Sequence, residues 1–260
     1  MGSRSHGRED ILKRFRSFLN FKVSIVLIAI AFVLYINHTD LLFAKETKHE
    51  PLLLSHRGAH PDYVLTSDEI NGCSEIQLAN TEPASIENTI PAIRAAYEAG
   101  AAIVEVDLQQ TRDGNFVAFR DWNLDCRTNG TGPIWDYTTE ELKQLDIGYG
   151  YQLEGDNTYP FRGDGVGLIP TLEEILNTFP EERLLLHIQS RSTSDGERLA
   201  NILESLSAEQ LQTLIVTGSH ATITYINERF PSVQIMTKEE YQEFSTPTDR
   251  SGWSTVRSFD

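Results

Sequence analysis

Two carboxylates, Glu105 and Asp107, interrupt an apolar run that begins at Ile103. The run is short and rich in β-branched residues, which is typical of a buried strand. Because successive side chains of a strand point to opposite faces, both carboxylates point to the same side. Converging carboxylates repel each other and lose hydration unless a cation compensates them, and a hard divalent ion with oxygen ligands would do so. The alternative is an edge strand with two solvated acids. This stretch alone does not decide between the cation site and the edge strand.

His56 and Arg57 follow a second short apolar segment, 52–54, and precede Gly58. A guanidinium offers a forked set of donors to an anion, and a glycine lets the backbone approach a ligand closely. The tripeptide therefore suits an anion-binding position at the mouth of a strand, although by itself it is a weak signal.

Strand and helix patterns alternate along the chain and would position these residues. The predicted strands are 52–54, 103–108, 115–119, 184–189, 213–217 and 233–236. The predicted helices lie between Thr89 and Gly100 and over 138–145, 170–179, 195–206, 223–230 and 238–244. This alternation favours a parallel α/β architecture, and the polar residues fall at strand ends, where a (β/α)8 barrel places its chemistry. Six strands are fewer than the eight of a closed barrel, so either two escape the pattern or the barrel is incomplete at the C-terminus.

The connections and the composition set further limits. We expect long loops over 59–85 and 148–167, and a polar tail without pattern over 245–260. The chain has 260 residues, of which 40% are hydrophobic, enough for one large domain, which we place at 51–244. Its formal net charge of -16 makes it a poor candidate for binding nucleic acid through phosphates.

The N-terminal part predicts export. An uncharged apolar run covers 23–36 and follows a segment with a cluster of basic residues. We expect a basic cytoplasmic tail over 1–22, an uncleaved signal anchor forming a transmembrane helix over 23–37, and a linker over 38–50. A removed signal peptide is the alternative. Either reading places the globular part outside the cytoplasm, as a periplasmic or extracellular domain held at the membrane by its anchor.

The two cysteines, Cys73 and Cys126, lie in loops that should follow strands at the same end of the domain. Outside the cytoplasm a disulfide is permitted, and we predict that the two pair, with two free thiols as the alternative.

Taken together, the motifs resemble the glycerophosphodiester phosphodiesterase family. The resemblance covers about Leu52 to Met236, and it is specific as a set although each piece alone is weak. The residues that carry it are His56-Arg57-Gly58, Glu87-Asn88-Thr89, Glu105-x-Asp107 and the run from Asp121 to Arg127-Thr-Asn-Gly-Thr-Gly132.

The resemblance implies a (β/α)8 TIM barrel that cleaves phosphodiesters into an alcohol and glycerol 3-phosphate, using a divalent ion such as Ca²⁺ or Mg²⁺. It implies that the partner is a small-molecule glycerophosphodiester or a lipid head group. It assigns His56 a role as acid or base. It also implies that Arg57 holds the phosphate of the substrate. The implied metal ligands are Glu87, Glu105 and Asp107.

The sequence departs from the family pattern at three positions. Arg120 stands where the family has its second histidine, and an arginine stays protonated at any working pH, so it can bind phosphate but cannot act as a base. His187 and Gln189 stand in place of Glu-x-Lys on the fourth strand. His187 could ligate the metal, take over a proton transfer, or be a core histidine, while Gln189 becomes a neutral substrate contact.

Two main hypotheses follow for function. The first is an active phosphoric diester hydrolase of lipid metabolism with His56, Arg120 and His187 at the catalytic positions. The second is a catalytically impaired member that binds phosphodiester head groups. A decayed product with an open, aggregation-prone barrel is a third possibility.

Overall fold

The structure is a computed structural model that describes residues 20–33, 52–64, 77–82, 84–189, 192, 194–245 and 253–256. Two compact units divide the chain, Met1–Glu50 and Pro51–Asp260. In the first unit residues 20–33 form helix α1, whose apolar side chains are exposed. Across the described ranges, no helix combines the length and the apolar character that crossing a membrane demands.

The second unit holds the remaining elements. Its strands are β1 (Leu52–Ser55), β2 (Gln77–Leu78), β3 (Ile103–Gln110), β4 (Phe116–Ala118), β5 (Gln152–Leu153), β6 (Leu184–Ile188), β7 (Leu214–Thr217), β8 (Gln234–Ile235) and β9 (Trp253–Val256). Its α-helices are α2 (Ile90–Glu98), α3 (Thr139–Leu142), α4 (Leu172–Thr178), α5 (Asp195–Leu203), α6 (Ala208–Gln212), α7 (His220–Arg229) and α8 (Lys238–Ser245), with a 3₁₀ helix at Ile134–Asp136.

Five strands form a parallel sheet in the order β1-β3-β6-β7-β8, as the α/β prediction requires. The alternation of sheet and helix is that of a TIM-barrel-like α/β fold. β9 pairs antiparallel with the outer edge of β1, in a tail where no pattern was expected. The described strands therefore end in an antiparallel neighbour of β1 rather than in a ring of eight parallel strands.

The predicted strand 115–119 exists as β4, but it is not a barrel strand. It pairs antiparallel with β3 through a turn at Asp113-Gly114, where Gly114 has φ +84°. Parallel neighbours need a crossover of a dozen or more residues, and this connection is too short for one. The six strands predicted from sequence therefore include one, β4, that belongs to a hairpin and not to the barrel.

The two faces of the parallel sheet differ. Val104 and Val106 point outward and pack in the larger core with α2, α4, α5 and α7. Ile103 points inward with Leu54, and both belong to a smaller inner core. Farther along β3 the same inward face carries Glu105, so the strand alternation places apolar packing at one level and carboxylates at the next.

The two predicted loops are tied together. β2, inside the loop 59–85, pairs with β5, inside the loop 148–167. Beneath them lies a separate buried cluster that includes Tyr63, Leu78 and Tyr151. The described parts of these two loops, 59–64, 77–82, 84–85 and 148–167, therefore pack around a small core of their own.

Helix α2 forms as its sequence predicts, because Thr89 caps it by accepting a hydrogen bond from Ala92 N. The chain entering the site packs against this helix: Ala59 N donates to Ala92 O at 2.9 Å. Gly58 has φ +81°, and a Cβ at this position would lie 2.6 Å from Ala92 C. Only a glycine fits there without moving the helix backbone.

We predict that Gly58→Ala lowers the free energy of unfolding by about 2–4 kcal/mol, because it adds a backbone clash to a left-handed conformation. Gly100→Ala is the matched control: φ is +97° there, but nothing lies within 4 Å of the added Cβ. It should cost about 1 kcal/mol. Urea denaturation of both variants measures the difference, and equal losses would contradict a close approach at Gly58.

Candidate functional site

The inward faces of β3 and β6 bring together Glu105, Asp107 and His187. Asp107 and His187 are direct neighbours in the strand register. One donor atom from each of the three lies within 4.8 Å of the others, the carboxylates being buried and the imidazole partly buried. The predicted convergence of Glu105 and Asp107 is therefore present, and His187 joins it from a strand 80 residues away in sequence.

Asp107 is surrounded by donors. Its Oδ1 accepts hydrogen bonds from His187 Nδ1 at 2.9 Å and from Gln189 Nε2 at 3.1 Å. Its Oδ2 lies 3.1 Å from Arg57 Nε and 3.9 Å from Arg120 Nη1. Burial raises the pKa of Asp107, but the hydrogen bond from His187 and the charge of Arg57 outweigh it, and the net pKa is lowered. Asp107 is thus ionised in the folded protein.

Glu105 is held by two other groups. His56 Nδ1 lies 2.6 Å from Oε2, and the Tyr241 hydroxyl donates to Oε1 at 2.5 Å. Burial raises the pKa of Glu105, while the charge of His56 and hydrogen bonds from both histidines lower it well below its usual range. For His56, burial lowers the pKa, but the charge of Glu105 and the hydrogen bond to it outweigh burial, so the net pKa is raised.

His187 lies between the two carboxylates and compensates their negative charge. Its Nδ1 lies 2.9 Å from Asp107 Oδ1 and 3.4 Å from Glu105 Oε1. Burial lowers the pKa of His187, but hydrogen bonds to the two carboxylates raise it to about 9. At neutral pH His187 therefore carries a positive charge in this arrangement.

Tyr241, on α8, is a site residue that sequence reasoning missed. Its ring centroid lies 4.4 Å from that of His187, in addition to the bond to Glu105. The sequence predicted the helix itself, over 238–244. Nothing in its pattern indicated which side chain reaches the carboxylates.

Arg57 joins this cluster to a second group of buried charges. Its backbone has φ +58°, and its Nη1 lies 3.2 Å from Glu87 Oε2. Glu87 Oε2 also accepts from the Tyr63 hydroxyl at 2.5 Å, and Glu87 Oε1 lies 2.9 Å from Arg127 Nη1. Burial raises the pKa of Glu87, but the charges of Arg127 and Arg57 lower it well below its usual range. Glu87 is thus bound by protein cations, with Arg57 between it and Asp107.

Arg127 is fully buried at the centre of this second group. Its Nε donates to Asp121 Oδ2 at 2.7 Å, and its Nη1 donates to the Tyr151 hydroxyl at 2.7 Å. The same Nη1 also forms a close ion pair with Glu87 Oε1, at 2.9 Å. The loop motif that begins at Arg127 indicated that this residue matters. The motif did not predict which groups the guanidinium contacts.

Arg120 and the loop beyond it frame the mouth of the site. Arg120 follows β4, is partly exposed, and its carbonyl accepts from Gln109 Nε2 at 3.0 Å. Asn129 shapes the same loop, since its Oδ1 accepts from Asp146 N at 2.9 Å. The guanidinium groups of Arg57 and Arg120 therefore both approach Asp107 at the open end of the sheet.

Cys126 lies in this loop and is disulfide-bonded. Cys73, the predicted partner and the other cysteine of the chain, lies outside the described residues. A disulfide at Cys126 agrees with the predicted pairing.

The donor set of Glu105, Asp107 and His187 suits a divalent cation. Carboxylate oxygens are ligands for Ca²⁺ and Mg²⁺, and a neutral imidazole is a ligand that transition metals favour. The buried charges require compensation, which protein cations supply in this arrangement. Of the implied ligands, Glu105 and Asp107 belong to this set, whereas Glu87 lies in the group around Arg127.

Comparisons with known proteins point to one family. A family model described as the glycerophosphoryl diester phosphodiesterase family matches residues 56–245. The chain is 30% identical over 156 residues to a glycerophosphodiester phosphodiesterase from Caldanaerobacter subterraneus subsp. tengcongensis, covering 57% of this chain and 59% of that protein. It is 29% identical over 175 residues to a protein of the same name from Bacillus subtilis, covering 63% and 58%. The chain thus spans about three fifths of the length of both relatives.

Solved structures give the same picture. The glycerophosphoryl diester phosphodiesterase domain of an uncharacterized Mycobacterium tuberculosis protein is 27% identical with a TM-score of 0.50, covering 60% of this chain and 57% of that chain. A phosphodiesterase from Oleispira antarctica, solved with the product sn-glycerol 3-phosphate, is 20% identical with a TM-score of 0.51, covering 73% and 69%. The second likeness shows a shared fold.

Proposed function

The chain belongs to the glycerophosphoryl diester phosphodiesterase family, and we propose that it hydrolyses glycerophosphodiesters to an alcohol and glycerol 3-phosphate, a step of lipid metabolism, with the help of a divalent cation. The observation that carries the proposal is the convergence of Glu105, Asp107 and His187 within 4.8 Å. His56 and two guanidinium groups adjoin the same carboxylates.

Glu105, Asp107 and His187 would hold the cation, with Glu87 remaining a predicted ligand. A bound divalent ion supplies charge stabilisation to phosphoryl oxygens and lowers the pKa of a coordinated oxygen. To ligate the ion, His187 would have to be neutral, because only the neutral imidazole donates an electron pair. The ion would then supply the positive charge that the protonated His187 provides.

Arg57 and Arg120 would bind the phosphate group of the substrate. Both guanidinium groups lie near Asp107 Oδ2, at 3.1 Å and 3.9 Å, and so border the proposed cation position. A guanidinium forms forked hydrogen bonds with phosphate oxygens and stays charged at every working pH. Gln189, which donates to Asp107, offers a neutral amide beside them.

His56 is the group for proton transfer. Its Nδ1 donates to Glu105, which fixes the tautomer, so that exchange of a proton with substrate falls to Nε2. In hydrolysis a water oxygen bonds to phosphorus, the bond from phosphorus to the alcohol oxygen breaks, and the alcohol leaves with a proton. His56 would give or take that proton, since its pKa is raised by Glu105.

We predict that His56→Ala lowers glycerophosphodiester hydrolysis by about 10²–10⁴-fold, because it removes the proton-transfer group. Release of glycerol 3-phosphate with added Ca²⁺, Mg²⁺ or Mn²⁺ measures the effect. His220→Ala, at an exposed position that starts α7, is the control and should keep full activity. Background rates for the unchanged chain with all three ions would contradict the hydrolase proposal.

Arg120 favours a second candidate function, a catalytically impaired binder of phosphodiester head groups. A guanidinium beside Asp107 can bind phosphate but cannot act as a base. Calorimetry with glycerophosphocholine and metal would show binding without turnover in that case. An Arg120→His, Gln189→Lys variant that gains hydrolysis would show that these positions separate the chain from an enzyme.

We predict that metal affinity rises with pH. The pKa of His187 is about 9, so the fraction of neutral imidazole grows about tenfold per pH unit below that value. The apparent association constant for Mg²⁺ or Mn²⁺ should follow this slope between about pH 6.5 and 8.5, as calorimetry would measure. In His187→Gln the slope should disappear. An affinity that does not change with pH in the unchanged chain would remove His187 from the ligand set.

We further propose that the globular unit is exported and stays attached to a membrane through the N-terminal segment. Support comes from the exposed apolar side chains of α1 and from the disulfide at Cys126, since disulfides persist in oxidising compartments. The expected result is that the full chain stays with membranes through an alkaline carbonate wash and is digested by protease added outside the cell. Full recovery in the soluble fraction would contradict attachment.

A further inference from the structure

Tyr241 contacts two of the three residues that would hold the cation. Its hydroxyl donates to Glu105 Oε1 at 2.5 Å, and its ring centroid lies 4.4 Å from that of His187. At neutral pH a phenol keeps its proton, so this hydroxyl is a donor to the carboxylate. One side chain from α8 therefore constrains both a carboxylate of β3 and an imidazole of β6.

The start of α8 is fixed to the sheet. Met236 N, directly after β8, donates to Val216 O on β7 at 3.0 Å. A capping box follows, in which Thr237 N donates to Glu240 Oε2 at 2.7 Å and Glu240 N donates to Thr237 Oγ1 at 3.3 Å. Tyr241 is the next residue, and its side chain packs against the inner core of the sheet. The helix therefore presents the tyrosine from a defined position.

The hydrogen bond from Tyr241 leaves Glu105 able to hold a cation. Each carboxylate oxygen has two lone pairs, so Oε1 can accept from the hydroxyl and still ligate an ion. His56 Nδ1 lies 2.6 Å from the other oxygen, Oε2. The two contacts hold the carboxylate from both ends and so define the direction in which Oε1 faces. A ligand that is already oriented loses less conformational freedom when an ion binds.

The other carboxylate is oriented by different groups. Asp107 N donates to Asn88 Oδ1 at 3.0 Å, and the carboxylate contacts Arg57 and Gln189 as well as His187. Removal of the Tyr241 hydroxyl should therefore act on Glu105 and leave the position of Asp107 unchanged.

We propose that Tyr241 is a positioning residue of the cation site: its hydroxyl orients Glu105 and its ring orients His187 before an ion binds. The inference rests on the proposed function for the presence of a cation, but ion binding can be measured without substrate or turnover. Groups that hydrogen-bond to metal ligands typically contribute about 10–100-fold in metal affinity.

The test measures the Mn²⁺ affinity of the full chain and of its variants, with the free ion followed by electron paramagnetic resonance. Tyr241→Phe removes the hydroxyl but keeps the ring, and should weaken binding about tenfold. Tyr241→Leu also removes the ring and should weaken binding further. Tyr97→Phe is the matched control, because the Tyr97 hydroxyl donates to Arg183 O at 2.9 Å and its ring packs in the larger core outside the sheet. This variant should keep the affinity of the unchanged chain.

Urea denaturation separates this role from a loss of stability. Each Phe variant loses one hydrogen bond, so the two midpoints should fall by similar amounts while only Tyr241→Phe loses affinity. Unchanged affinity in Tyr241→Phe would overturn the proposal. Tighter binding would also overturn it, because the hydroxyl would then compete with the ion for Glu105.

The same measurements distinguish this inference from the hydrolase proposal. Tenfold weaker Mn²⁺ binding by Tyr241→Phe, in a chain that hydrolyses no diester, would support the positioning role and contradict only the hydrolase. Normal hydrolysis with equal affinities in the unchanged chain and Tyr241→Phe would contradict only the positioning role. If the unchanged chain binds no Mn²⁺, Mg²⁺ or Ca²⁺, the positioning role fails together with the cation of the proposed function.

Discussion

The structure of the site depends on one electrostatic constraint: Glu105 and Asp107 are two buried carboxylates on the same face of one strand. Burial and mutual repulsion both favour their neutral forms, yet the pKa of each is lowered. The compensation comes from His56, His187 and Arg57, which contact one or both carboxylates. A divalent cation can replace part of this compensation, because it supplies two positive charges at one point. The same constraint therefore explains why protein cations surround the two carboxylates and why the site is suited to a metal ion.

A second layer of charges keeps the first in place. Arg57 lies between Asp107 and Glu87, and Glu87 in turn contacts the buried Arg127. Acidic and basic groups thus alternate from the mouth of the site into the loops beside it. Removing one member would leave a buried partner uncompensated, which is costly in a low-dielectric interior. The positive φ of Arg57 fits this picture, since a strained backbone persists when its surroundings determine it strongly.

The strand period lets one element serve both the core and the site. On β3 the residues that alternate with the carboxylates, Val104 and Val106, belong to the core beneath the helices. On β6 the inward positions change from the apolar Leu185 to His187 within two residues. Apolar packing therefore anchors each strand directly beside the functional side chains, and the site gains rigidity from the sheet rather than from loops.

The sequence alone determined the local features. The shared face of Glu105 and Asp107 and the capped start of α2 follow from side-chain alternation and capping, which act over a few residues. Tertiary structure decided which distant groups meet. His187 reaches the carboxylates through the register between β3 and β6, Tyr241 arrives from the last described helix, and Glu87 pairs with arginines rather than joining the cluster. It also decided that β4 folds back as a hairpin and that β9 covers the edge of β1. Strand register and edge pairing depend on packing between segments far apart in the chain, so local pattern does not fix them.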